Sequence, residues 1–182
     1  VTTDAEDNIT ITAYDNVGNV AAKTDGNDQT TEYSYDEFNR LTTVTNAKDE
    51  TTSYTYDLNG NLLTQTDGAG NVTAFEYNAA NLLTRLIAPG GRTGIPGDYS
   101  YDLTKVERYT YTASGQLADK IDENGHTTVY AYDSHNRKLS ETCGTLVISY
   151  TYDNNGNVLT ITDSTGTTTR TYDAFNRVLT KT

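Results

Sequence analysis

The side chains of this 182-residue chain that could do chemistry are few, and their spacing limits what they can do. Its two histidines, His126 and His135, stand in turn-like stretches with no Cys or second His at ligand spacing, so they form no zinc pattern. The one cysteine, Cys143, cannot close an internal disulfide and reads as a small apolar residue in a strand near a turn. Asp25-Gly26-Asn27-Asp28 and Asp67-Gly68-Ala69-Gly70-Asn71 have the composition of calcium loops. They lack the alternating ligands and closing Glu of an EF-hand and do not recur at β-roll spacing, so turn formation is the simpler chemistry for them. Gly90, Gly91, Gly94 and Gly97 crowd one segment without the Lys-Ser/Thr that ends a phosphate loop. There is no Gly-x-Ser-x-Gly elbow and no Ser or Cys placed for a triad, and paired carboxylates carry no weight on so acidic a chain. The sequence therefore gives no catalytic residue, cofactor or metal ligand, and it reads as a non-enzyme. What remains is aromatic. Fifteen tyrosines could stack on sugar rings through their apolar faces and bond sugar hydroxyls through their own. Rings that recur in every unit are more simply explained by stacking on one another between neighbouring hairpins.

The elements that hold these rings are repeats. Tyr14, Tyr35, Tyr56 and Tyr77 are spaced by 21 residues; a jump of 34 leads to Tyr111, and Tyr132, Tyr152 and Tyr172 follow at 21, 20 and 20. A fixed period near 20 marks a repeat architecture. Tyr-x-Tyr, as in Tyr54-Thr55-Tyr56, puts two rings on one face of a strand. The next residue is Asp15, Asp36, Asp57, Asp133, Asp153 or Asp173, with Asn78 and Thr112 as variants. Three residues further on stand Gly18, Asn39, Gly60, Asn81, Gly115, Asn136, Gly156 and Asn176, the two residue types that best tolerate a left-handed backbone. An Asp that bonds its own turn amides, followed by such a residue, predicts a tight hairpin turn. The fold class is all-β: tandem hairpins of period about 21 in a curved or spiralling sheet or open solenoid. Residues 1–86 hold a partial unit and four hairpins, and residues 109–182 hold four more, the last incomplete. Residues 87–108, with both prolines and the Gly cluster, predict an irregular surface loop. There Tyr99-Ser100-Tyr101-Asp102 imitates the repeat but has Lys105 where Gly or Asn belongs, so it is expected to lack the tight hairpin.

A second rhythm overlies the first. Turn tips alternate between a Gly type (Gly18, Gly60, Gly115, Gly156) and an Asn type (Asn39, Asn81, Asn136, Asn176), which suggests a pair of hairpins as the structural repeat. Arg40, Arg137 and Arg177 follow three of the Asn-type tips; pairing with neighbouring carboxylates and a solvated surface charge are the two readings of each, the second the simpler. Thirteen Lys and Arg against 25 Asp and Glu give a net charge of −12 and a pI near 4.4. Such a chain has no basic stripe for nucleic acid and no attraction to an anionic membrane. The sequence shows no signal peptide, transmembrane run or lipidation motif. It starts at Val1, has no Met and begins and ends in mid-pattern, as an excised piece of a longer protein would.

Asp153-Asn154-Asn155-Gly156-Asn157-Val158-Leu159 and Asp173-Ala174-Phe175-Asn176-Arg177-Val178-Leu179, each after a Tyr, carry a resemblance. The alternation of Tyr-Asp-x-x-Gly-Asn-Leu with Tyr-Asp-x-x-Asn-Arg-Leu resembles the YD repeat of the RHS family, and it covers almost the whole chain outside the insertion. The resemblance implies a long sheet of hairpins that spirals into a hollow shell. The family's shells occur in bacterial polymorphic toxins, insecticidal toxin complexes, wall-associated proteins and animal teneurins, and in toxins they enclose a C-terminal effector. The Asp-Pro-x-Gly core-terminating motif, the aspartyl autoprotease signature and a non-repeat effector segment are not in this stretch. The resemblance also implies a secreted or cell-surface bacterial protein.

Three functions follow as expectations. The first is a structural wall whose partners are neighbouring repeats of the parent protein, enclosing or displaying another segment. The second is a carbohydrate-binding or adhesion module using exposed Tyr, with its site on the 87–108 insertion, where a unique loop sits on a rigid scaffold. The third is self-assembly of copies of the chain into a filament or array through unpaired strand edges.

Overall fold

Alternation in Thr51-Thr52-Ser53-Tyr54-Thr55-Tyr56 places Tyr54 and Tyr56 on one face of an extended segment and the hydroxyl residues Ser53 and Thr55 on the other. Aromatic and β-branched residues favour that backbone. The computed structural model describes residues 2–3 and 9–182; among them the chain is built from β-strands, with one short 3-10 turn and no α-helix. The expected partial unit over 1–13 lies partly outside the described residues. Its strand runs Ile9–Tyr14.

The chain divides into two units, Val1–Lys105 and Val106–Thr182. The first holds β1 (Thr2–Thr3), β2 (Ile9–Tyr14), β3 (Val20–Thr24), β4 (Thr30–Tyr35), β5 (Leu41–Thr45) and β6 (Thr51–Tyr56). It continues with β7 (Leu62–Thr66), β8 (Val72–Tyr77), β9 (Leu83–Ile87), β10 (Arg92–Ile95), β11 (Asp98–Tyr101) and a 3-10 turn at Leu103–Lys105. The second unit holds β12 (Val106–Tyr111), β13 (Leu117–Ile121), β14 (Thr127–Tyr132), β15 (Lys138–Cys143), β16 (Leu146–Tyr152), β17 (Val158–Asp163), β18 (Gly166–Tyr172) and β19 (Val178–Lys181). From β1 to β9, and from β12 to β19, consecutive strands pair antiparallel in chain order. Each unit is thus an open meander of hairpins, the all-β repeat that the period of the sequence predicts.

Each Tyr-Asp tip has the same register. Tyr56 faces Leu62 across a five-residue turn, but Thr55 faces Thr64, so Leu63 is an extra residue that bulges out of the ladder. The same slip precedes Tyr14, Tyr35, Tyr77, Tyr111, Tyr132, Tyr152 and Tyr172. Such bulges add local twist and bend the strand that carries them. Turns at the opposite end of the strands vary. In units of 21 they span five residues, as between Thr66 and Val72, whereas Cys143 and Leu146 are joined by Gly144-Thr145 alone. Gly144 at φ 59 suits the first central position of a type II′ turn. These two-residue back turns, longer strands notwithstanding, account for the 20-residue spacing after Tyr132.

The segment 87–108 is not an irregular loop. Arg92–Ile95 and Asp98–Tyr101 pair in a two-stranded hairpin, with Ile95 facing Asp98 across Pro96-Gly97. Both prolines occupy the second position of a turn, and Gly90 (φ 73) and Gly97 (φ 93) the third, the pattern of a type II turn. Composition that would break a long strand therefore makes two sharp corners. The hairpin is an enlarged back turn. Ala88 N–H donates to Lys105 O (2.8 Å) just as Asp67 N–H donates to Asn71 O (3.0 Å), and the intervening chain is thirteen residues longer, which is the excess of the 34-residue spacing over 21. At its end Asp102 still caps a turn, accepting from Lys105 N–H at 3.0 Å, and the chain passes through the 3-10 turn without a left-handed residue at Lys105.

The two faces of each meander differ. Tyr33, Tyr54, Val44 and Leu62 share one, half-buried among its neighbours; the other is a hydroxyl face where Thr55–Thr64, Thr151–Thr160 and Thr171–Thr180 bond across strands at 2.6 Å. Full burial is confined to Ala74, Ile87 and Val106 among the described residues. Ala74 faces Ile87 on the hydroxyl-bearing side of β8 and β9, where the inserted hairpin folds over and adds a second layer.

Candidate functional site

Asp57 shows how a tip is built. Its Oδ1 accepts from Asn59 N–H (2.9 Å) and Asn61 N–H (2.8 Å), and its Oδ2 accepts from Asn61 Nδ2 (2.8 Å). Gly60 N–H closes the turn on the Asp57 carbonyl at 3.2 Å, with Gly60 at φ 89. Asp15, Asp36, Asp133, Asp153 and Asp173 accept from the same two backbone positions. Gly18, Asn39, Asn81, Gly115, Asn136, Gly156 and Asn176 all have positive φ. The Asn61 amide holds the Asp57 carboxyl below its ordinary value of 3.8, and Asn157 does the same for Asp153.

In five units the tyrosine just before the tip fastens its hairpin to the one before it. Tyr35, Tyr56, Tyr132, Tyr152 and Tyr172 donate their hydroxyls to the carbonyls of Val20, Leu41, Leu117, Lys138 and Val158, at 2.7–3.0 Å. Tyr77 is half-buried in the same repeat position, while Tyr14, at the start of the series, is 64% exposed. Among the described residues, no ring of Tyr33, Tyr35, Tyr54 or Tyr56 stacks on one from a neighbouring hairpin, and Tyr99 and Tyr101 meet edge-on at 6.4 Å within β11.

The alternation of tip types has a physical basis. From an Asn-type tip, Arg40 bonds Asp36 with Nε (2.7 Å), reaches forward with Nη1 to the carbonyl of Asp57 (2.7 Å), and lies over the Tyr56 ring at 4.8 Å. Arg137 repeats this with Asp133, Asp153 O (2.9 Å) and Tyr152. From a Gly-type tip, Asn61 Nδ2 reaches forward to Asn81 Oδ1 (2.8 Å), as Asn19 does to Asn39 and Asn157 to Asn176. Arg40 and Arg137 are therefore clamps, not the solvated charges of the simpler reading. Arg177 keeps its Asp173 bond (2.7 Å) but is 75% exposed.

A site unlike the repeated tips lies under the inserted hairpin. Tyr101 Oη donates to Glu76 Oε1 at 2.5 Å, Arg85 pairs with Glu76 Oε2 at 2.7 Å, and Arg92 stands 3.5 Å from Oε1. Arg85 covers the Tyr101 ring (4.8 Å) and Arg92 the Tyr99 ring (4.1 Å). Burial pushes the Glu76 carboxyl up, and the Tyr101 hydroxyl with the two guanidinium groups outweighs it, leaving Glu76 below its ordinary range. Between the hairpin and the tips beside it opens a crevice of about 600 Å³. The sequence does carry a signal for this site. The middle residue of the Tyr-x-Tyr slot is Ala, Ser or Thr in every other copy and Glu only at Glu76, and Arg85 sits opposite it where Thr64, Thr43 and Thr160 sit in others.

The remaining candidates have local roles. His126 Nδ1 lies 3.2 Å from Asp122 within its own turn, His135 is exposed on a tip, and Cys143 is a half-buried free thiol that faces Leu146. In the calcium-like loops, Asp25 accepts from Asn27 and Gln29 N–H, and Asp67 from Ala69 and Asn71 N–H.

Comparison with known proteins agrees with this architecture. The teneurin YD-shell family model matches residues 9–146, and the RHS repeat model matches residues 152–182. No curated protein matches the chain by sequence. Among solved structures, TcdB2-TccC3 without its hypervariable C-terminal region superimposes with a TM-score of 0.57 at 17% identity, over 94% of this chain and 13% of that one. A TcdB2-TccC3 crystal structure gives 0.58 at 21% identity, over 94% and 9%. The Photorhabdus luminescens Tc holotoxin pore gives 0.57 at 17%, over 94% and 12%. The chain thus spans a small fraction of the length of the solved chains it matches, and at these identities the likeness is one of fold. With a YD-shell model covering most of its length and an RHS repeat at its end, the chain belongs to the RHS/YD-repeat family.

Proposed function

We propose that this chain is a section of shell wall in a longer protein, a non-enzymatic β-scaffold that encloses or displays another segment. The observation that carries this reading is the relay along the tips, in which Asn and Arg side chains tie successive hairpins within each unit through Asn39, Asp57, Asn81, Asp153 and Asn176. The carboxylates of the Asp tips are engaged by their own turns, and the Tyr hydroxyls by the neighbouring strand, so the recurring polar groups serve the wall itself. Its partners in this reading are neighbouring repeats of the parent protein. The Tc holotoxin likeness supports a secreted or cell-surface bacterial setting.

Light scattering with small-angle X-ray scattering over a range of concentrations tests the proposal. A curved, elongated monomer at every concentration is the expected result. Growth into long assemblies would overturn the isolated-wall reading and put end-to-end polymerisation in its place.

A further inference from the structure

We propose that Asn124, in the back turn between β13 and β14, is a self-modifying site: it loses its side-chain amide through a cyclic imide formed with Gly125 and becomes an aspartyl or isoaspartyl residue. Three Asn-Gly pairs stand in the chain, Asn59-Gly60, Asn124-Gly125 and Asn155-Gly156. In the reaction the Gly nitrogen gives up its proton and bonds to the Asn Cγ, the Cγ–Nδ2 bond breaks, and ammonia leaves with that proton. Water then opens the five-membered ring, at Cγ to give aspartate or at the main-chain carbonyl to give isoaspartate. Water is the one co-reactant, and nothing is oxidised or reduced. Glycine favours the first step because it has no Cβ to hinder its nitrogen. A Cβ built at Gly60, Gly125 or Gly156 would meet nothing within 4 Å, so all three pairs are sterically open.

Local structure separates them. In each pair the Gly N–H donates to a turn carbonyl: Gly60 to Asp57 at 3.2 Å, Gly125 to Asp122 at 3.0 Å and Gly156 to Asp153 at 3.1 Å. The nitrogen therefore reacts only when its turn opens. At the two tips, opening also breaks ties to the next hairpin. Asn59 Nδ2 donates to Asn81 Oδ1 (3.0 Å) and Asn155 Nδ2 to Asn176 Oδ1 (3.2 Å), which holds away the amide that must swing toward its own backbone. Asn61 and Asn157 donate to the same acceptors at 2.8 Å. The turn at Asp122–His126 has no such tie. Asp122 Oδ1 accepts from Asn124 N–H and His126 N–H, each at 2.9 Å, and Oδ2 lies 3.2 Å from His126 Nδ1, all within the turn itself. The exposed Asn124 side-chain amide has no protein partner among the described residues. The position also suits the product. Isoaspartate adds one carbon to the main chain, and the back turns are where the repeat varies in length, from Gly144-Thr145 to the long insertion. The converted chain thus keeps its meander and carries a new carboxylate on one exposed turn. The proposal is independent of whether the chain forms a shell wall.

The test ages the whole chain in warm, mildly alkaline buffer and follows each Asn-Gly pair by peptide mass spectrometry. Labelling with an isoaspartyl methyltransferase identifies the rearranged product. In the folded chain Asn124 is expected to convert about tenfold faster than Asn59 and Asn155, or more, and in denaturing urea the three rates are expected to agree within about threefold. Asn81→Gly removes the acceptor of Asn59 while keeping a residue suited to the left-handed backbone. It is expected to raise the Asn59 rate by about fivefold and to leave Asn124 and Asn155 unchanged. The converted chain is expected to keep its urea midpoint. No conversion at Asn124 in the folded chain, or folded rates in the same ratio as the urea rates, would overturn the proposal. So would an Asn59 rate that Asn81→Gly does not move, or a midpoint that falls as Asn124 converts.

Discussion

Arg40, Arg137 and Arg177 occupy one position of the repeat and differ in what stands ahead of them. Arg40 and Arg137 each reach a carbonyl on the following tip, and their side chains are 26% and 29% exposed; Arg177 bonds only within its own turn and is 75% exposed. Arg40→Ala and Arg137→Ala are each expected to lower stability by about 1–2 kcal/mol, the scale of a charge-assisted hydrogen bond with partial solvent screening. Arg177→Ala is expected to fall within about 0.5 kcal/mol of the parent. Urea denaturation of the three variants makes the comparison, and equal losses would show that the forward reach contributes nothing. Tyr56→Phe isolates the second fastening. It removes only the hydroxyl donated to Leu41 O at 2.8 Å and is expected to cost about 1 kcal/mol in the same assay.

At the scale of elements, the inserted hairpin depends on one close approach. Gly94 has φ 98, and a Cβ there would sit 2.3 Å from the carbonyl oxygen of Asp98. Gly94→Ala is therefore expected to open β10–β11, raising hydrogen exchange across residues 92–101 while β2–β7 keep their protection. Exchange that rises throughout the first unit would show that the hairpin is integral to the meander. The recurring hairpins were legible because each level of the sequence agrees: alternating faces, an Asp cap and a left-handed Gly or Asn all specify the same turn. The insertion was not, because Pro89-Gly90 and Pro96-Gly97 read equally well as the breaks of a loop or the corners of a hairpin. Its cross-strand pairing is non-local information. The forward reach of Arg40 was hidden for a similar reason, since Asp57 lies seventeen residues on and comes beside it only when two hairpins stack. Glu76 left a trace, in that it breaks the hydroxyl-or-Ala habit of its slot, but its partners Arg92 and Tyr101 are placed by the insertion.

For the molecule as a whole, stability has little buried core to rest on and is distributed over repeated polar turns. That predicts a characteristic response to acid. The Asp57, Asp67 and Asp153 carboxyls are held below 3.8, first by the side-chain amides of Asn61, Asn71 and Asn157. A carboxyl whose folded value is depressed contributes fully above the unfolded value and loses that contribution as pH falls through the folded one. The urea midpoint is thus expected to stay level from pH 7 to about 4.5 and to drop below that. A decline already under way between pH 7 and 5 would show that other groups set the acid limit. The repeats also have unequal tolerance at their two ends. Tips keep five residues throughout and are locked to their neighbours, while back turns range from the two residues between Cys143 and Leu146 to the eighteen of Ala88–Lys105. The back-turn end is thus the natural grafting edge of this scaffold: a folded loop or short reporter spliced between Lys48 and Asp49 should leave the meander intact, whereas the same splice between Leu58 and Asn59 would sever two relays at once. Whatever such a protein presents to its surroundings, it can exchange along one margin without rebuilding the other.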